Sequence, residues 1–331
     1  MNPELPMMPP RPKTSMPVFL GGAKQIIKKC IGTVWIFLAA QLALSLIGTG
    51  LLDGLVWLLG PVLGYYQLVA FYDTAAAFLD FCTGLIGGGL AWYWASGQLK
   101  IRVGNVLNVQ KLDSSVLLWG PLLAYAMYMP LALGLNVTNI FLNYFGLEIP
   151  VSGELSGLTL LSNVFYILLT VVVAPVMEEI VFRGMILESM KKYSPLFALI
   201  FSSVLFALAH LNLYQGLPVF GMSLAFGLVY LKTGSLAASI YMHFVNNLLA
   251  VVASYLPGAE TWLGILFVVF AVAGWIYFGS HFEEFKAAVK GPQSISYWKE
   301  TFQCPSFWAL TVVFAVISIA LVLSSRAAVY W

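Results

Sequence analysis

Long apolar runs with almost no charge between them are the feature that most constrains this chain. Of its 331 residues 60% are hydrophobic and only 9% are Asp, Glu, Lys or Arg. A water-soluble domain carries about 25% charged residues, because a surface facing water needs them. So few charges cannot cover a soluble surface, and the solvent around most of this chain must be lipid. A helix needs about 20 apolar residues to cross the hydrocarbon core. Such runs occupy 33–52, 75–96, 115–135, 158–190, 196–211, 214–231, 235–254, 261–279 and 306–325, which predicts an all-α, polytopic transmembrane bundle of about nine spans. The stretch 55–71 is apolar too, but Gly60-Pro61 and Gly64 interrupt it.

Loop charge decides how that stretch is counted. With 55–71 not spanning and the N-terminus in the cytoplasm, Lys24, Lys28, Lys29, Lys100, Arg102, Lys111, Lys191, Lys192, Lys232, Lys286, Lys290 and Lys299 all fall inside, with Arg11 and Lys13. The outer loops 136–157 and 255–260 then hold acids only, and Arg326 is the one loop cation outside. A tenth span would move the 100–111 cations outward. The reading divides the chain into a disordered basic arm (1–32), N-terminal spans (33–157), a core (158–255) and C-terminal spans (256–331). The last part includes a surface amphipathic helix over 280–305, to which His281 belongs. A net charge of +2 gives no reason to expect a nucleic-acid partner. The three cysteines show neither metal-ligand spacing nor a disulfide framework, and no internal repeat suggests transporter symmetry.

Ionisable groups inside a span are expensive, and each is a functional-site candidate. They gather in the core. The fourth run holds Glu178, Glu179 and Arg183, the fifth ends at His210, and the seventh contains His243, Asn246 and Asn247. Elsewhere Asp80 is the one clear intramembrane acid, without an obvious partner. Measured from the lysine-rich side at the helical rise, Glu178 lies about 20 Å up its helix, His210 roughly 22 Å and His243 about 16 Å. Three helices thus bring polar groups to similar depth. Glu179 and Arg183 share a face at i, i+4 and can neutralise each other; Glu178 points elsewhere. His243 and Asn247 share a face, and Asn246 points off it.

These residue types suit hydrolysis. A carboxylate in an apolar setting is a usable base near neutral pH, and with His210 it could activate a water. His243 and Asn247 could donate to the oxyanion of a tetrahedral intermediate. No serine or cysteine stands out as a nucleophile. The same groups could also serve as interhelical glue in a non-catalytic scaffold or immunity protein, or relay protons in a transporter.

The ordered trio Glu178-Glu179-x3-Arg183, Phe206-x3-His210 and His243-x3-Asn247 resembles the three motifs of the CAAX prenyl protease 2 family, the CPBP or ABI intramembrane endopeptidases. Residues 211–216 and 230–236 are similar to it in character, and the likeness covers roughly 160–255. The resemblance implies that Glu178 and His210 activate water, that His243 and Asn247 hold the oxyanion, and that Glu179 and Arg183 support them. It implies an endopeptidase acting inside the bundle on a membrane-associated peptide or protein, prenylated in some members, with membrane lipid as the other partner. A metal-free, glutamate-dependent mechanism without a cofactor is favoured. The alternative is a zinc site with Glu178, His210 and His243 as ligands, without the His-Glu-x2-His helix of many zinc proteases.

Overall fold

The computed structural model describes residues 16–112, 114–150, 157–256, 258, 260–292 and 295–325. Every regular element among them is helical. Eight helices are long and apolar enough to cross a membrane: α1 (Met16–Leu59), α2 (Tyr65–Leu99), α3 (Ser114–Asn143), α4 (Leu160–Lys191), α6 (Leu213–Thr233), α7 (Leu236–Tyr255), α8 (Glu260–Ser280) and α11 (Pro305–Ser325). A ninth, α5 (Pro195–Ala209), is apolar but has only 15 residues. The bundle of about nine spans is the architecture that the apolar runs require.

Two expectations need correction. The arm drawn over 1–32 is helical from Met16, while residues 1–15 lie outside the described part. Its apolar residues explain this: Ala23, Ile27, Cys30 and Ile31 recur at helical spacing and are fully buried. The stretch 280–305 is not one solvated helix but two short ones, α9 (Phe282–Ala288) and α10 (Ile295–Phe302), separated at Gly291-Pro292. Each plants an aromatic in the core, Phe285 and Tyr297. The interrupted stretch 55–71 forms no span of its own. It supplies the end of α1, a turn and the start of α2, as Gly60, Pro61 and Gly64 require.

Exposed Leu46, Trp57, Val272, Ile276, Val316 and Ile319 on α1, α8 and α11 mark the lipid side, while α6 is the most enclosed span. α6 packs on α3 and α5, and α4 lies between α2 and α7. Gly221 lets α6 touch the α3 backbone, for a Cβ there would sit 2.1 Å from Met127 O. Gly88 does the same for α2 against α4, where a Cβ would lie 2.6 Å from Met177 Cβ. In lipid, such close backbone approach is what holds helices together.

The cationic loops meet at one end of the bundle. Lys24 pairs with Glu300 at 2.9 Å, Lys232 with Glu284 at 2.8 Å, and Lys29 donates to Gln98 O at 3.0 Å. Lys232 also lies over the rings of Trp119 and Phe285, which docks α9 under α3 and α6. The opposite end carries Glu148, whose backbone N–H donates to Ser325 Oγ.

Candidate active site

The fourth span is not a regular α-helix. Leu168–Val173 and Ile180–Leu187 are π-helical and bracket one α turn, Ala174–Glu179. Pro175 accounts for the first of them. Ala174 N–H donates to Leu169 O, five residues back. Thr170 O would next look to residue 175, but proline has no N–H. The carbonyl is therefore left without a backbone donor, and Asn247 Nδ2 of α7 takes it at 2.8 Å. Irregular turns of this kind favour functional sites. No proline breaks the second π stretch, and nothing in its sequence explains it.

Glu179 and Arg183 lie behind the site, both fully buried. Arg183 Nη1 donates to Glu179 Oε1 at 2.7 Å, and Nη2 donates to Ser223 Oγ at 2.6 Å and Ser223 O at 3.0 Å. Its guanidinium also lies 4.7 Å from the Phe206 ring centroid and 5.3 Å from that of Phe226. The pairing expected from the i, i+4 spacing is present, and it reaches further than expected. Glu179 Oε1 also faces His243 Nδ1 at 3.0 Å. A carboxylate beside Arg183 can only accept, so the His243 Nδ1 carries a proton directed at Glu179. The ring is held flat by Phe226, stacked at 5.1 Å between centroids. Its Nε2 then points to Glu178, with Oε2 3.9 Å away.

His210 reaches the same place by a different route. At 1.5 Å per residue α5 is about 22 Å long, short of the roughly 30 Å hydrocarbon core. The chain therefore turns inside the bundle, at His210-Leu211-Asn212. Leu211 sits in the left-handed region at φ 54°, a costly conformation for a branched residue. Asn212 holds the turn: its amide donates to His210 O at 2.9 Å, and its Oδ1 caps α6 by accepting from Gln215 N at 2.8 Å. His210 Nδ1 bonds Phe206 O at 2.9 Å. A carbonyl only accepts, so the proton sits on Nδ1 and the Nε2 lone pair is free.

Glu178, His210, His243 and Asn247 all line one cavity of about 570 Å³. No direct hydrogen bond or ion pair joins Glu178 to His210, and each presents an acceptor to this space. Asn247 spends one amide hydrogen on Thr170 O and accepts from Asn246 Nδ2 at 2.9 Å. Asn246 thus lines the cavity too, where the helical wheel had pointed it away. Among the described residues, no three His, Cys, Asp or Glu side chains are grouped to hold a metal ion. His281 lies far from this set, stacked on Tyr277 next to α9.

Several members of the arrangement are not apparent in the sequence. Ser223 and Phe226 lie on α6, and Thr170 acts through its carbonyl, so residue type gives no sign of them. Pro175 inside a span was the available signal for Thr170.

Residues 160–249 match the family model described as type II CAAX prenyl endopeptidase Rce1-like. The chain is also similar to a Bacillus subtilis (strain 168) protein named "Putative membrane peptidase YdiL", at 30% identity over 92 residues. That match covers 28% of this chain and 38% of the relative's length. No solved structure matches the chain. The family-model match falls on the segment that carries the three motifs, in agreement with the resemblance they suggest.

Proposed function

We propose that the chain is an intramembrane endopeptidase that hydrolyses a peptide bond of a membrane-associated protein or peptide with a water activated by Glu178 and His210. The observation that carries this reading is the convergence of Glu178, His210, His243 and Asn247, from two helices and a turn, on one cavity. A structural salt bridge needs no such cavity, and here the structural pair, Glu179 and Arg183, is kept out of it.

Water between Glu178 and the His210 Nε2 gives one hydrogen to each acceptor, which aims its oxygen lone pair at the substrate carbonyl. As the C–O bond forms, Glu178 takes the proton and the carbonyl electrons move to oxygen. The second hydrogen of Asn247 Nδ2 is free to stabilise that oxyanion. His243 can donate there only through Nε2, and only as the imidazolium, because Nδ1–H is committed to Glu179. Glu179 is therefore a positioning residue for His243, itself fixed by Arg183. Collapse of the intermediate breaks the C–N bond, and the proton on Glu178 passes to the leaving amine.

The proposed mechanism uses no metal: Glu178 and the free Nε2 lone pair of His210 hold the water directly, while the Nδ1 bonds of His210 to Phe206 O and of His243 to Glu179 fix the two rings. We further assign the lysine-rich end of the bundle, and so the N-terminus, to the cytoplasm. Substrate chain and membrane lipid are the partners. Whether the substrate is prenylated depends on chemistry outside the catalytic set.

The test uses the purified full chain in nanodiscs with a library of apolar peptides, cleavage being mapped by mass spectrometry. Wild type should cut. Glu178→Gln and His210→Ala should each lose cleavage while keeping the wild-type unfolding transition. Cleavage surviving both changes overturns the mechanism. Activity that disappears with chelator and returns only with zinc overturns its metal-free form.

A further inference from the structure

The cavity extends well past the catalytic set, along α2. Asp80 lines it, with Thr83 and Gly84 on the same face of that helix and Tyr166 opposite. Asp80 has no hydrogen bond or ion pair among the described residues. Asp73, two turns earlier on α2, shows the contrast: its carboxylate accepts from Leu158 N, Thr159 N and Ser162 Oγ. Asp73 is a cap. Asp80 has no such structural use, though it stands in the middle of a span, where an acid needs a partner.

No lysine or arginine lines the cavity. Arg183, nearest to the catalytic set, is fully buried with its guanidinium turned to Glu179 and Ser223. Apart from the catalytic histidines, the space therefore holds two carboxylates, Glu178 and Asp80, in a wall that carries no other ionisable group but the Tyr166 phenol. Such a chamber disfavours a substrate carboxylate beside the scissile bond and favours a cation.

We propose that Asp80 is a specificity-determining residue that takes a lysine or arginine side chain of the substrate, so that the enzyme cuts an apolar segment at an internal bond near a basic residue. The reading rests on the proposed endopeptidase function and narrows its substrate class. The packing of α2 sets the spacing. Gly88 contacts Met177, the neighbour of Glu178, and Asp80 lies eight residues away along α2, about 12 Å at the helical rise. An extended peptide advances about 3.3 Å per residue. With the reach of a lysine side chain, the basic residue should stand roughly two to four positions from the cut.

The experiment uses apolar twelve-residue peptides carrying one lysine, one glutamate or one norleucine at scanned positions, with the full chain in nanodiscs. Wild type should cleave the lysine peptides about tenfold or more faster than the glutamate peptides, as one charge-assisted contact implies, with cuts at the stated spacing. Asp80→Asn should bring the lysine-to-glutamate ratio close to one, and Asp80→Lys should invert it, which misfolding cannot do. Binding of the same labelled peptides to the Glu178→Gln protein gives a readout independent of turnover. A charge preference in binding without any cleavage would refute the protease and leave the acceptor for a basic segment standing. Cleavage or binding indifferent to peptide charge, or a lysine preference that survives Asp80→Asn, overturns the proposal.

Discussion

Replacing Asn247 with alanine strips Thr170 O of the donor that Pro175 makes necessary. The carbonyl already lacks a backbone partner, because Ala174 N–H goes to Leu169 O and residue 175 has none to give. Leaving this part-buried acceptor unpaired costs at most about 1–3 kcal/mol. In a Pro175→Ala background the outcome changes. The N–H restored at position 175 can reach Thr170 O in the π register, or the helix can return to the α register and use Ala174 N–H. Either way the carbonyl is satisfied, so Asn247→Ala should cost about 1–2 kcal/mol less there than in wild type. Activity behaves differently, because the same substitution removes the proposed oxyanion donor in both backgrounds, at about 10²–10³-fold in kcat. Reversible unfolding in mixed micelles, followed by tryptophan fluorescence, measures the stability cycle, and peptide cleavage measures the second effect. An Asn247→Ala cost that is equal in the two backgrounds, within about 0.5 kcal/mol, would refute the link through Thr170.

Other expectations follow from the same geometry. Arg183→Met leaves the buried Glu179 carboxylate with only the His243 Nδ1–H as partner and should destabilise the fold by about 3 kcal/mol, seen as an early unfolding transition. Glu179→Gln keeps an acceptor for the His243 ring but removes the charge. It should lower kcat and shift its pH profile with little change in KM, whereas a purely structural role would leave the profile alone. Ser223→Ala withdraws one of the Arg183 acceptors and should cost about 1.5–3 kcal/mol, the worth of a charged hydrogen bond. Lys232 holds the Glu284 carboxyl below its ordinary range by hydrogen bond and charge. A lowered folded-state value means that the contact contributes above the ordinary glutamate range and is lost as pH falls through the folded value. Hydrogen exchange in 282–288 should therefore speed up on acidification and stay constant from neutral pH upward.

The sequence alone determined the solvent, and with it most of the fold. Nine apolar runs in a chain with so few charges have one reasonable outcome, because a lipid-embedded backbone must bond within its own helix. Residue type and depth also singled out Glu178, His210, His243 and Asn247, since polar groups are too costly in a span to be accidental. Local pattern failed where long-range packing supplied the partner. Residues 16–32 read as a basic arm because their lysines are visible in the sequence and the surface that buries Ala23, Ile27 and Ile31 is not. Helical wheels turn Asn246 off the face of His243 and Asn247, but the cavity is wide enough to reach it, and there it donates to Asn247 Oδ1. Only the tertiary structure decided that Glu179 orients His243, that a proline-orphaned carbonyl holds Asn247, and that Asp80 shares a cavity with Glu178. Each is a contact between residues distant in the chain. The sequence specifies the groups, but only packing fixes which of them meet.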